Sequence, residues 1–280
     1  MRTPFYIRLI WTLAVSGGFL IFLAAGEVEI GLATLGIVLL CFACELMDSS
    51  LGMGYGTTLT PVLLLFGYDP LELVPTILIS EFLSGFAASF FHAEAGNVDF
   101  SRRGPHLRPA AALALCSVAG VLAGVHLALS VDKAVLTILI GCVVLGAGLF
   151  LLASVRRTFT YRLWKVLLLG IVASFNKAVS GGGYGPLLTG GQIVSGVAGR
   201  AAVAITSFAE GFTCLVATLA FLVAGSSLNM GLLVPVVTGA LLSVPISANI
   251  VRRLDERLIR AAVAGLTIIM GLVTLGRALL

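Results

Sequence analysis

The chain has 280 residues, of which 59% are hydrophobic and 11% charged, and its mean hydropathy is +1.12; soluble globular proteins are about 25% charged, so this is the composition of an integral membrane protein. The apolar runs approach the roughly 20 residues of a spanning helix and lack the period-two alternation of a membrane barrel. A net charge of +4 reflects the loops, not a surface for nucleic acid.

At the N-terminus, Arg2 and Arg8 precede or open an apolar stretch from Leu9 to Ala25. A cleaved signal peptide shares that pattern, but the length of the stretch and the polytopic chain behind it favour an uncleaved first transmembrane span within 1–29. Apolar runs follow at 30–47, 58–66, 71–93, 109–129 and 133–153, then at 164–179, 186–195, 199–224, 231–251 and 258–279. Runs 58–66 and 186–195 rise only about 15 Å as helix, so each crosses half the bilayer or folds back.

Basic residues set the orientation. They gather at Arg2 and Arg8, at Arg102, Arg103 and Arg108, at Arg156, Arg157, Arg162 and Lys165, and at Arg252, Arg253, Arg257 and Arg260. The connections Glu27 to Glu29, Ser130 to Lys133 and Gly225 to Asn229 hold one lysine among them. With the basic clusters inside, the N-terminus is cytoplasmic and the C-terminus external.

Both short runs follow a glycine stretch. Gly52-Met53-Gly54-Tyr55-Gly56-Thr57-Thr58-Leu59-Thr60 returns 129 residues later as Gly181-Gly182-Gly183-Tyr184-Gly185-Pro186-Leu187-Leu188-Thr189, with six of nine positions identical. Residues 30–153 and 164–279 each hold five apolar runs, and an odd number turns the second unit upside down. Loop charges agree: 94–108 is basic where its counterpart 225–230 has no basic residue, and the turn at 130–133 corresponds to the basic turn 252–257. The expected fold class is therefore all-α, a polytopic transmembrane helical protein of two inverted-topology repeats, each with a glycine-rich broken or re-entrant helix.

Chemistry is expected where helices break, because half-helix N-termini offer unpaired N–H groups to an anion and glycine lets backbone approach a ligand. Gly54, Tyr55, Gly56, Thr57 and Thr58 form one such end; Gly181, Gly182, Gly183 and Tyr184 form the other, with Asn176, Lys177 and Ser180 beside it. The competing reading is that the glycines simply let helices pack closely. Glu81 and Glu210, also 129 apart, sit at the centres of their runs, where an ionised carboxylate costs roughly 2.5–3.5 kcal/mol. With Asp48 they read as proton-coupling or gating groups, or the two glutamates as protonated braces on a broken helix. Asp48 and Lys177 share one repeat position with opposite signs, and Glu45 lies a turn before Asp48. Lys177 suits an anion, or else an ion pair with Asp48 or Glu45.

No metal site, cofactor or catalytic residue is expected. His92, His106 and His126 lack metal-ligand spacing, and His92 is expected at a span end facing the cytoplasmic interface. The five cysteines, Cys41, Cys44, Cys116, Cys142 and Cys214, lie inside apolar runs and read as core residues, not as a disulfide framework. The Gly-Tyr-Gly triplets lack the Thr-Val that completes a potassium filter, which argues against a channel.

Gly52 to Gly56, Pro61 to Gly67, Pro75-Thr76 and His92 to Phe100 resemble the first half of the sulfite exporter TauE/SafE family, and Ser180 to Gly185, Gly199 to Ser207 and Glu210 resemble its second half. The resemblance spans about residues 30–278. It implies a secondary carrier of sulfite, organosulfonates or related oxyanions and carboxylates, expected in a bacterial inner (cytoplasmic) membrane; alternating access of the two repeats, with protons coupled through Glu81 and Glu210, is the mechanism expected from the repeats and their midplane carboxylates. A metal or organic-cation transporter of the same architecture, or a channel, is the alternative. The expected partners are a small anionic substrate and the lipid bilayer, with a homodimer left open.

Overall fold

The computed structural model describes residues 7, 11, 14–18, 31–154, 163–250 and 256–279. Most of the expected first span and the basic segments 155–162 and 251–255 lie outside the described residues. From residue 31 onward the described chain forms ten helices: α1 (Leu32–Leu51), α2 (Tyr55–Leu65), α3 (Pro70–Glu94), α4 (Leu107–Ser130), α5 (Lys133–Ser154), α6 (Leu163–Ser180), α7 (Tyr184–Val194), α8 (Gly199–Val223), α9 (Met230–Ile250) and α10 (Glu256–Leu279). Six of them, α1, α3, α4, α5, α8 and α9, are long and apolar enough to cross a membrane. The protein is a multi-pass, all-α membrane protein.

Glycine places the two breaks. α1 ends where Gly52 turns to φ 71°, its N–H bonding the Asp48 carbonyl at 2.5 Å; α6 ends where Gly181 turns to φ 68°, its N–H on the Lys177 carbonyl at 2.8 Å. Two residues later Gly54, at φ 131°, and Gly183, at φ 79°, open α2 and α7. Side chains with a Cβ rarely adopt that region. α2 and α7 run 11 residues each, about half the length that a crossing needs. By contrast, α3 starts on a conventional cap: the Asp69 carboxylate accepts from the Leu71 N–H at 3.0 Å, with Pro70 in the first turn.

Apolar side chains such as Leu32, Leu39, Leu115, Leu122, Leu168 and Val172 point outward, while Glu45, Asp48, Glu81, Lys177 and Glu210 are buried. α5 packs with α10 and α3 with α8; α4 packs with α6 as α9 does with α1, and α9 packs with α3 as α4 does with α8. Each of these six pairings is matched by itself or by another one five helices along. Lipid tails offer no hydrophobic gain to helix association, so close dispersion contact at small residues supplies it. Gly120 of α4 backs onto the Ile171 carbonyl and Ser174 hydroxyl of α6, and Gly239 of α9 onto the Val38 carbonyl of α1. Gly120→Leu is therefore expected to cost about 1–3 kcal/mol by overpacking, read as a lower thermal midpoint in detergent. Gly146→Leu, at a position with nothing within 4 Å, is the control, and an equal shift in both would contradict this packing.

Candidate functional site

The two glycine stretches meet face to face. A Cβ on Gly56, in the first turn of α2, would land on the Gly181 carbonyl, and one on Gly185, in the first turn of α7, on the Gly52 carbonyl. A Cβ on Gly182 would come within 2.7 Å of both the Gly56 carbonyl carbon and the Thr57 nitrogen. Each half-helix thus starts against the other's break, backbone on backbone. Thr189 Oγ1 ties the crossing by donating to the Gly52 carbonyl at 2.8 Å. It accepts in turn from Thr206 Oγ1 at 2.8 Å, which itself accepts from Gln192 Nε2 at 2.9 Å.

The two half-helix starts differ. The Tyr55 N–H donates to Asp48 Oδ1 at 3.1 Å, so a carboxylate already sits on the positive end of α2. No side chain among the described residues accepts from the matching Tyr184 N–H; neither N-cap glycine can, and the position matching Asp48 is Lys177, which can only donate. Tyr55 and Tyr184 are fully buried. Tyr55 Oη lies 2.9 Å from Ser80 Oγ on α3, and Tyr184 Oη accepts from Thr213 Oγ1 on α8 at 3.4 Å.

Three charges converge beside the crossing. Lys177 is 1% exposed, and its Nζ lies 2.5 Å from Glu81 Oε2 and 2.7 Å from Glu210 Oε1. One ammonium reaches carboxylates on both α3 and α8 because those helices approach closely just past them: a Cβ on Gly85 would stand 2.9 Å from the Ser207 carbonyl oxygen and 3.1 Å from Gly211 Cα. The ion pairs that the sequence offered Lys177, with Asp48 or Glu45, are therefore not the ones formed. Asp48 lies within electrostatic reach of Lys177 and Glu210, and Glu45 within reach of Asp48 and Glu81. Cys214 Sγ is 3.9 Å from Glu81 Oε2.

Three buried carboxylates, Glu81, Glu210 and Asp48, thus lie within reach of one buried ammonium, with Glu45 behind Asp48 and Glu81. A buried ion pair offsets its desolvation only when its remaining lone pairs are also satisfied, yet Glu81 Oε1 and Glu45 Oε2 have no hydrogen-bond partner. Stability alone does not account for such a cluster; intramembrane charge marks a substrate or ion path.

The comparison with known proteins bears on the chain as a whole. A family model described as "Sulfite exporter TauE/SafE" matches residues 35–274. The chain belongs to this family. The match runs from α1 into α10 and takes in both glycine stretches, Lys177 and all four carboxylates. The chain is also 27% identical over 242 residues to the "Probable membrane transporter protein YtnM" of Bacillus subtilis (strain 168), covering 82% of this chain and 79% of that protein. No solved structure matches.

Within this TauE/SafE transporter the other candidate residues are variously engaged. Ser180 Oγ donates to the Asn176 carbonyl at 2.8 Å and accepts from the Gly182 N–H at 3.1 Å, and Thr57 Oγ1 donates to the Gly54 carbonyl at 3.3 Å. The buried Thr58 hydroxyl has no hydrogen-bond partner. His92 corrects the sequence reading: it is fully buried and does not face an interface. Its Nε2 lies 2.7 Å from the Ser49 carbonyl and its Nδ1 2.9 Å from Asn97 Nδ2, which also donates to the Ala248 carbonyl at 3.0 Å. The Asn97 amide makes Nδ1 the acceptor, so Nε2 carries the proton. Ser49 is in the last turn of α1, where the break leaves carbonyls without helical partners, and His92 supplies one of them. Cys214 was read only as core; its place four residues after Glu210, one turn along α8, was the available signal.

Proposed function

We propose that the protein is a secondary carrier of small anions, such as sulfite, organosulfonates or related oxyanions, across the cytoplasmic membrane. The carrying observation is Lys177, a buried ammonium held by two carboxylates beside the uncapped start of α7. With Glu81 and Glu210 both ionised the triad is net −1 and repels an anion. One proton makes it neutral, and two leave a bare ammonium. Protonation of these carboxylates and anion binding therefore favour each other, which supports coupling to protons.

The anion sits at the start of α7, near Tyr184 and Gly185, with the Thr58 hydroxyl across the crossing. The Asp48 carboxylate on Tyr55 argues against an equal share for α2. The carrier works by alternating access of two inverted repeats, 30–153 and 164–279, with the N-terminus cytoplasmic. The 129-residue offset, the helix pairings repeated five positions along and the reciprocal glycine contacts support that reading.

The excess of carboxylates over lysine favours a second reading, a carrier of metal or organic cations. Exchange of labelled solute by proteoliposomes, across sulfite, sulfonates, carboxylates and divalent metals, separates the two. Anion exchange without metal exchange is expected; metal exchange without anion exchange would overturn the anion reading.

A further inference from the structure

We propose that Glu45, which the triad does not use, is the proton donor that loads Glu81 in each transport cycle. This rests on the anion-carrier reading above. Glu45 is 2% exposed and Glu81 3%. One Glu45 oxygen, Oε1, accepts from Ser49 Oγ, and Ser84 of α3 lies near the carboxyl group; the other oxygen, Oε2, has no hydrogen-bond partner. Glu81 is divided in the same way, with Oε2 on Lys177 and Oε1 unpartnered. These two buried carboxyl groups, on the contacting helices α1 and α3 and within electrostatic reach of each other, each have one oxygen without a hydrogen-bond partner, which is unusual for groups so costly to leave unsatisfied.

The step is a proton transfer. The O–H bond at Glu45 breaks and one forms at Glu81 Oε1, leaving Glu45 ionised and Glu81 neutral; Glu45 then takes one proton from water, which restores the donor for the next cycle. Because Oε1 is not the oxygen that holds Lys177, the proton arrives without first breaking the ion pair. Once Glu81 is neutral, half of the negative charge on Lys177 is gone. The other titratable groups facing Glu45 are Cys41, Cys44 and Asp48 on α1 and Tyr55 on α2; α9, packed along α1, carries no titratable side chain among residues 230–250. The position 129 residues on is Ser174, so only the first repeat has this donor.

The test compares Glu45→Gln with wild type in proteoliposomes, measuring sulfite accumulation driven by a pH gradient relative to sulfite exchange in the same vesicles. Glu45→Gln is expected to lower that ratio by about tenfold per pH unit of gradient, the equivalent of one lost proton, and Glu45→Asp to restore it. An unchanged ratio in Glu45→Gln overturns the donor role while leaving the anion carrier standing. Equal loss in Gln and Asp variants overturns it in favour of a packing role, and accumulation driven by sodium in place of protons overturns it as well. No exchange of any anion by the wild-type protein fails the carrier reading itself, and the donor role falls with it.

Discussion

Lys177→Met is expected to abolish anion exchange and to destabilise the protein by about 3–5 kcal/mol, the usual cost of removing one partner from a buried ion pair. The substitution strands Glu81 and Glu210, which both face the vacated Nζ position, in an interior where neither finds water. The stability loss and the functional loss have different causes and separate experimentally. Changing Glu81 and Glu210 to Gln in the Lys177→Met background removes the stranded charges, so the thermal midpoint in detergent is expected to recover, because replacing a whole buried ionic group is often near neutral. Exchange is not expected to recover, because the counter-charge is gone. Recovery of exchange in that triple variant would mean that the triad is a structural brace and the anion binds elsewhere.

Gly56→Ala and Gly185→Ala are expected to have the next largest effect, about 3 kcal/mol each, at the upper end of overpacking costs. The added methyl meets a backbone carbonyl in each case, and backbone cannot rotate away as a side-chain tip does. α2 and α7 are short and lie against each other's breaks, so the strain is relieved only by parting the two stretches, which also moves the start of α7 away from Lys177. A lower thermal midpoint and slower exchange are expected in both variants, compared with Gly36→Ala on α1, where a Cβ meets nothing within 4 Å. A midpoint in Gly56→Ala or Gly185→Ala matching that control would contradict the crossing.

Much of this was legible in the sequence because membrane helices are governed by length and by local punctuation. The apolar runs gave helices to within a few residues, from run 71–93 as Pro70–Glu94 to run 199–224 as Gly199–Val223. The short runs after Gly52–Gly56 and Gly181–Gly185 were legible as half-length helices, since glycine with positive φ leaves a direct mark on composition. What was not legible depends on tertiary crossing. The partner of Lys177 is decided by how closely α3 and α8 approach at Gly85 and Gly211, and no spacing along one helix encodes that. The burial of His92 follows from an orphaned carbonyl on another helix. The capping of α2 by Asp48 hides in plain sight: Asp48 precedes the glycines just as Lys177 does, and only the fold shows that the carboxylate turns onto the backbone while the ammonium turns away.

The central claim, that an anion binds at Lys177 together with protons taken up by its carboxylates, is tested most directly by measuring proton uptake when the anion is added to the purified protein in weak buffer, with the anion's own titration subtracted. The wild-type protein is expected to take up about one proton or more for each anion bound, by the charge count at the triad. The Glu81→Gln Glu210→Gln double variant is expected to bind the anion without taking up protons. Anion binding by the wild-type protein with no proton uptake, or the same uptake in the double variant, would contradict the claim.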